Sequence, residues 1–233
     1  MVGPESVLET DLREPRHLPP PGERRPRPRI ETLADLIFGL SLSIGAIGLI
    51  ANAPASSGEI NSHILAFAFT FLVLITAWII YTTYMSVLPA ETRVIMSLNV
   101  ALLLLVALVP YLLNAVELVN PSVSAAESSA LRDYSSTLFA LDLAGILAIL
   151  AAFAHVISSE EKKLVARDLA ELFRNGRNRM MIFSALVVVS IAPPFWQWTL
   201  FDVPARLYVW YLPLVSYSVG RAVRPASRTY RTS

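Results

Sequence analysis

The chain contains no cysteine, so disulfide bonds, thiol chemistry and cysteine-ligated metal sites are excluded. The common enzyme motifs are missing as well: there is no glycine-rich phosphate loop, no His and Asp cluster at metal-ligand spacing, and no serine nucleophile elbow. The basic residues follow a membrane-topology pattern rather than forming a nucleic-acid patch. We therefore predict that the protein is not an enzyme, has no metal site and binds no nucleic acid.

Charged residues are scarce, at only 16% of the 233 residues, whereas hydrophobic residues make up 55%. A typical soluble domain is about 25% charged. A bilayer core of roughly 30 Å needs about 20 apolar residues for each helical crossing. We predict an all-α polytopic membrane protein, a six-transmembrane-helix bundle. Its predicted crossings are 32–52, 63–85, 94–116, 135–158, 180–199 and 204–221.

The two ends of the chain are polar. Residues 1–28 hold no apolar run and are rich in Pro and Arg, so we expect a disordered cytoplasmic N-terminal tail rather than a secretory signal. Lys and Arg also concentrate between the fourth and fifth predicted helices and after the sixth, which places both termini in the cytoplasm. The predicted organisation is the tail at 1–28, a six-helix transmembrane domain at 29–221 and a basic cytoplasmic tail at 222–233.

Some loops and helix ends also have sequence signals. Residues 117–134 are predicted to form the longest outer loop. Residues 158–177 are amphipathic, with Gly176 as the expected stop, and are predicted to extend the fourth helix or lie on the membrane surface. The pair Pro193-Pro194 is expected to kink the fifth helix.

The first predicted helix, RIETLADLIFGLSLSIGAIGLI, begins with two ionisable residues, Arg29 and Asp35. Six residues make about 1.7 helical turns, so their side chains do not face each other and each needs another partner. An ionisable group in a membrane helix costs several kcal/mol unless it is paired or hydrated. We therefore interpret Asp35 as an anchor between helices, whereas Arg29 could also snorkel to the interface.

Further along this helix, Leu40, Ile44 and Ile47 are spaced at i, i+4 and i+7 and form one apolar stripe. Small residues between them allow close packing of helices. Spacing alone leaves three interpretations open: the stripe contacts lipid, lies in the core, or lines a pore.

The segment R-I-E-T-L-A-D resembles the Arg-x-x-x-Phe-Ser-Asp signature that opens the first helix in the transmembrane protein 175 family of potassium-permeable channels. Arg29 and Asp35 match the signature, while Leu33 and Ala34 replace its Phe and Ser.

Two later segments extend the resemblance. FLVLITAWIIYTTY at 71–84 looks like the second helix of that family, with Trp78 in register. LNVALLLLVALVPYLLNAVE at 98–117 resembles the third helix, with Asn99 and Pro110. The order and spacing of the segments agree with the family, so the resemblance covers essentially the whole six-helix domain.

The resemblance implies a homotetramer whose four first helices line a central pore. Leu40, Ile44 and Ile47 would form its apolar constriction, with Ser43 as a polar residue beside the ring. Such a ring gates by expelling water, and it favours potassium because that ion holds its hydration less tightly than sodium. The implied function is a potassium-over-sodium channel of the cell (plasma) membrane. Its partners would be potassium ions, the lipid bilayer and other copies of the chain, with no cofactor beyond the permeant potassium ion.

Within that family pattern, Arg29, Asp35, Trp78 and Asn99 would form a network that anchors the first helix. Trp78 can donate one hydrogen bond, and Asn99 can both donate and accept, so the two side chains could satisfy Asp35 or freed backbone groups. Simple packing, or a hydrogen bond between helices with no functional role, remains an alternative for Trp78 and Asn99.

Three other residues carry predictions. Asp142 is a possible vestibule acid that attracts cations, or a local hydrogen-bond anchor, and His155 could sense pH. Arg206 is expected to snorkel at the outer end, beside Asp202. Two other classes of protein stay open: a secondary transporter, for which Asp142 would be the buried carboxylate, and a non-conducting membrane structural or interaction protein of the same fold.

Overall fold

The computed structural model describes residues 29–51, 56–88, 92–117, 124–159, 165, 167–200 and 203–222. These residues form six long helices and one short helix, with a two-residue antiparallel ladder between β1 and β2. In chain order the elements are α1 (Arg29–Ala51), α2 (Ser57–Met85), α3 (Arg93–Glu117), α4 (Ala125–Ser158), α5 (Arg167–Val189), α6 (Pro193–Gln197), β1 (Thr199–Leu200), β2 (Val203–Pro204) and α7 (Ala205–Ala222).

Helices α1 to α4 are each long and apolar enough to cross a bilayer. The first half of α5 is polar, and α7 is short and contains Pro213, so membrane crossing by these two helices stays a prediction. The predicted tail at 1–28 lies outside the described residues, as does nearly all of the predicted tail at 222–233.

Helix α4 is the centre of the bundle and packs between α3 and α5. Its fully buried side chains include Phe139, Ile146, Phe153 and Ile157. Gly145 allows the close approach of α3, because a Cβ atom at this position would lie 2.8 Å from a methyl carbon of Leu105.

Helix α1, by contrast, lies at the side of the bundle. Ala34, Phe38 and Ser41 are buried, and their i, i+4, i+7 spacing gives α1 one narrow packed face. This face meets α2 and α3, and the opposite face of α1 is uncovered.

The predicted outer loop at 117–134 is too long, because α4 already begins at Ala125. The helix start is fixed by a capping box: the Ser124 hydroxyl accepts from the backbone N–H of Glu127, and the Glu127 carboxylate accepts from the backbone N–H of Ser124. Sequence analysis missed this Ser-x-x-Glu signal, although the motif is visible in the printed sequence.

Two predictions about α5 are also wrong. The helix continues through Gly176 instead of stopping there, and it ends at Val189. The pair Pro193-Pro194 does not kink the fifth helix, because the helix has already ended and Pro193 begins the short helix α6. Proline fits the first helical turn, where its missing N–H would have no partner in any case.

Candidate functional site: the first helix and its anchors

The apolar stripe of α1 lies on its uncovered face. Leu40 is 57% exposed, and Ile44 and Ile47 are exposed as well. Leu33 and Leu36 extend the same exposed face toward the start of the helix. Their spacing of seven and four residues before Leu40 was a usable signal that sequence analysis missed.

Ser43 is also exposed, and its hydroxyl donates a 2.9 Å hydrogen bond to the backbone carbonyl of Gly39. The hydroxyl proton is therefore committed to the helix, and the oxygen lone pairs stay available as acceptors. An exposed acceptor on an apolar helix face is chemically able to contact a partly dehydrated cation.

Asp35 is held against α2. Its Oδ1 atom accepts a 2.9 Å hydrogen bond from Trp78 Nε1, and both side chains are partly buried. A hydrogen bond to a carboxylate is stronger than one between neutral groups. Arg29 is the first residue of α1, and its side chain lies outside the described part of the structure.

Asn99 binds a residue that sequence analysis did not select. Its Nδ2 atom donates to the hydroxyl of Tyr81 at 3.1 Å, and both side chains are buried. The ring of Tyr81 also packs 5.9 Å from that of Phe38, on the packed face of α1. The signal for Tyr81 was its position three residues after Trp78, which puts both on one side of α2.

A cavity of about 160 Å³ lies behind the other half of α1, between α1, α2 and α3. It is lined by both apolar and polar side chains, including Ile44, Gly45, Gly48, His63, Thr70 and Asn114. The half of α1 near Asp35 is therefore packed and hydrogen-bonded, whereas the half near Ile44 backs onto open space.

Residues 29–110 match the family model described as "Endosomal/lysosomal potassium channel TMEM175". Over these residues, the chain matches the sequence pattern of the TMEM175 family. The match begins with the first residue of α1 and ends inside α3, so it includes the apolar stripe together with Asp35, Trp78 and Asn99. The family predicted from the sequence is confirmed. This family is one of ion channels rather than of enzymes.

A solved structure extends the comparison. The crystal structure of a lysosomal potassium-selective channel TMEM175 homologue from Chamaesiphon minutus superposes with a TM-score of 0.54 at 14% sequence identity. The superposition covers 82% of this chain and 96% of that chain. At this identity the likeness shows the fold, and it confirms the predicted all-α polytopic membrane architecture. No curated protein sequence matches the chain.

Beyond the residues that match the TMEM175 model, Arg206 forms the most extensive polar cluster of the described structure. The side chain is only 1% exposed. Its guanidinium donates to Asp133 Oδ1 at 2.7 Å and also to the hydroxyls of Ser136 and Thr137 on α4. It also donates to backbone carbonyls at the end of α5 and lies 5.3 Å from the centre of the Trp196 ring.

The prediction that Arg206 snorkels is therefore wrong. A buried guanidinium is tolerated only when its donors are satisfied, and here every donor nitrogen has an oxygen partner. The predicted neighbour Asp202 lies outside the described residues, and the acidic partner is Asp133. The signal for it was the polar i, i+3, i+4 pattern of Asp133, Ser136 and Thr137 on an apolar helix.

Asp142 lies near the middle of α4 and is only 4% exposed. Within the described part of the structure, neither carboxylate oxygen has a hydrogen-bond partner. In the single chain it is thus buried in the bundle, and its role as a vestibule acid stays a prediction.

His155 is exposed near the end of α4, where its Nδ1 atom lies 3.0 Å from Nη1 of Arg177. A guanidinium can only donate, so Nδ1 of His155 is the acceptor in this contact. Its predicted role in sensing pH stays a prediction.

Proposed function

We propose that the protein is a potassium-permeable channel that prefers potassium to sodium and assembles as a homotetramer. One observation carries the proposal: α1 is packed on one face only, and its other face exposes Leu40, Ile44 and Ile47 in line. An exposed apolar face alone is equally suited to lipid. The match to a channel family over residues that include this helix favours the pore.

In the proposed tetramer, four α1 helices surround the central axis and their Leu40 side chains form the narrowest ring. A ring of leucine side chains offers no hydrogen bonds, so water leaves it readily and an ion must shed part of its hydration to pass. Potassium sheds water at lower cost than sodium. Ser43, about one turn further along, supplies oxygen lone pairs to the ion at that point.

The anchors define where the ring lies. Asp35 is bonded to Trp78 on α2, and Leu40 follows Asp35 by five residues, which is about 7.5 Å along the helix axis at 1.5 Å per residue. A fixed Asp35 therefore fixes the depth and the rotation of Leu40. The Asn99–Tyr81 pair supports the same half of α1 by holding the Tyr81 ring against Phe38.

The proposed location is the cell (plasma) membrane, with a multi-pass topology and both termini in the cytoplasm. Support comes from the concentration of Lys and Arg before the first helix, between α4 and α5 and in the first half of α5, and after α7. In this orientation the Asp35 end of α1 is cytoplasmic, and the cavity behind Ile44 lies toward the outside.

A secondary transporter is the alternative that a specific observation favours. Asp142 is a buried carboxylate without a hydrogen-bond partner in the described structure, near the middle of a membrane helix. Carboxylates in such positions bind coupling protons or cations in many transporters. Unlike a channel, a transporter moves potassium at a rate that depends on a second ion gradient.

Flux from purified protein in liposomes tests the proposal. We expect potassium efflux that exceeds sodium efflux and needs no other ion gradient. Efflux that requires a proton or sodium gradient, and stops in Asp142→Asn, would favour the transporter. No flux from correctly assembled protein would favour a non-conducting membrane protein.

Leu40→Ala tests the constriction itself. Widening the ring lets ions keep more of their water, so total flux should rise while the potassium-to-sodium ratio falls. Leu104→Ala is the matched control, because Leu104 on α3 is similarly exposed, at 61% against 57% for Leu40. If Leu40→Ala assembles normally and keeps the ratio of the unmodified protein, Leu40 is not the filter.

A further inference from the structure

A second cavity lies away from α1, in a crevice between α2, α4, α5 and α7. Its inner wall is made of buried side chains, including Ala77, Leu147 and Trp210, and its rim is made of half-exposed ones, including Ile80 and Phe183. We call this feature the α5 crevice. It encloses about 50 Å³ and is open along its rim.

The surface of the α5 crevice is almost wholly apolar. Thr76 and Arg179 are the polar side chains at its rim, and the rest of the lining is hydrocarbon apart from the thioether of Met180 and the indole of Trp210. A space of this size has room for about three or four waters, but each water needs two to four polar partners to stay. Hydrocarbon therefore fits the crevice better than water does.

Arg179 is the charged residue in this lining. The crevice also contains Ile80, five residues before the end of α2 at Met85, and Leu150, eight residues before the end of α4 at Ser158. At 1.5 Å per residue, this part of the crevice lies about 8–12 Å inside the helix ends. A cation in a membrane helix normally pairs with an anion or reaches back to the interface.

No partner for Arg179 is present among the described residues. Its neighbour on the same helix, Arg177, donates to Asn178 and to His155, and Arg206 at the far end of the bundle has Asp133. Arg179 has neither a hydrogen bond nor an ion pair in the described structure and is only partly buried. An unpaired guanidinium therefore stands at the mouth of an apolar crevice.

We propose that the α5 crevice binds an anionic phospholipid of the cytoplasmic leaflet. The phosphate of the headgroup pairs with the guanidinium of Arg179, and the acyl chain enters the crevice and runs toward Trp210. The leaflet follows from the proposed orientation, in which the start of α5 is cytoplasmic. The lipid site itself does not depend on channel activity and is tested by binding alone.

Trp210 provides a direct reporter, because bromine atoms on a lipid acyl chain quench an indole that they contact. The full-length protein is placed in detergent and titrated with brominated phosphatidylglycerol, which is anionic, or with brominated phosphatidylcholine, which is zwitterionic. The signal of a Trp210→Phe variant is subtracted to isolate Trp210 from the other tryptophans. We expect saturable quenching of Trp210 that requires less phosphatidylglycerol than phosphatidylcholine.

Two variants test the two halves of the site. Arg179→Gln should weaken phosphatidylglycerol binding about fivefold, which corresponds to the loss of about one basic contact with an anionic lipid, and should weaken phosphatidylcholine binding less, because choline neutralises the phosphate of that lipid. Arg167→Gln is the matched control, because it removes the same charge from an exposed position on the same helix. Ala77→Leu should fill the crevice and abolish quenching by both lipids.

Other outcomes would overturn the site. Equal effects of Arg179→Gln and Arg167→Gln would mean that anionic lipid is attracted by the general positive surface of α5. If neither lipid quenches Trp210 in the unmodified protein, the crevice is closed or is covered by a second copy of the chain. If Arg179→Gln does not fold, unchanged quenching in folded Ala77→Leu still refutes the proposal.

Discussion

The two ends of the helical bundle hold their charged residues in different ways. At one end, the partly buried Asp35 accepts from Trp78, and the buried Asn99 donates to Tyr81. At the opposite end, the fully buried Arg206 donates to side chains of α4 and to backbone carbonyls at the end of α5.

This difference separates two parts of the molecule. The Arg206 cluster connects α4, α5 and α7, whereas α1 packs chiefly on α2 and α3. Within the described residues, the Asp35 end connects α1 to α2 through the Asp35–Trp78 hydrogen bond and through one narrow packed face. Helix α1, with the proposed pore lining, is thus packed on one narrow face, whereas the Arg206 cluster joins three other helices through buried hydrogen bonds.

The largest expected effect is at Arg206. Replacing it with Met leaves buried carbonyls and hydroxyls without their donor, at a cost of about 1–3 kcal/mol each, while Asp133, which is 47% exposed, can be hydrated. We expect a loss of that order in the free energy of unfolding, measured by titration with SDS in mixed micelles. Arg206→Lys should recover part of it, because lysine keeps the charge but lacks the planar fork.

The control for this comparison is Arg167→Met, which removes an arginine from an exposed position. It should change the unfolding free energy by less than about 0.5 kcal/mol. A loss in Arg206→Met no larger than in the control would show that water replaces the lost contacts, and the two ends would then not differ.

A smaller effect is expected at Tyr81. Tyr81→Phe keeps the ring against Phe38 but leaves the buried amide of Asn99 without its partner, which costs about 1–3 kcal/mol. Tyr111→Phe, at an exposed position on α3, should be neutral in the same unfolding assay. Neutrality of both variants would mean that water reaches Asn99.

The Asp35–Trp78 contact should contribute less, because both groups are partly exposed. A double-mutant cycle with Asp35→Asn and Trp78→Phe should give a coupling energy of about 1 kcal/mol. The effect on function should be larger than this small coupling energy suggests. A loosened α1 misplaces Leu40, which lowers the potassium-to-sodium flux ratio. Trp198→Phe, at an exposed indole, is the control and should change neither quantity.

The smallest effect is expected at His155. His155→Gln keeps an acceptor for Arg177 and should leave the unfolding free energy unchanged. His155→Lys places two cations together at an exposed site and should cost about 0.5 kcal/mol or less, in a manner that salt suppresses. A larger loss in His155→Lys would mean that this contact holds α4 to α5.

The sequence was most informative where the signal was local. Spacing alone put Leu40, Ile44 and Ile47 on one stripe, and motif resemblance selected Asp35 and Trp78 before their contact was known. The start of α4 at Ala125 was also a local signal, and it was missed because an acidic and serine-rich stretch resembles a loop until its capping box is noticed.

The sequence was least informative where partners are distant along the chain. Arg206 and Asp133 are 73 positions apart, and the polar pattern around Asp133 indicates a buried polar contact without showing that α7 supplies the partner. The predicted stop at Gly176 was wrong for a related reason. Glycine commonly ends a helix, yet α5 continues through Gly176 because the helix packs against α4. Tertiary contacts override local preference at such positions.

The cavity behind Ile44 has a mechanical consequence. Helix α1 is hydrogen-bonded to α2 near Asp35 and borders a cavity of about 160 Å³ further along, so its far half has room to tilt about the Asp35 end. A small swing about Asp35 moves Leu40 a short way and Ile47 farther, and the inner side of this half of α1 moves into that cavity rather than into packed side chains. Gly45 and Gly48 line that space, and because glycine has no side chain, this half of α1 is narrow on the face that borders the cavity. In the proposed tetramer, tilting of the four α1 helices would open and close the pore without rearrangement of α4, α5 or α7.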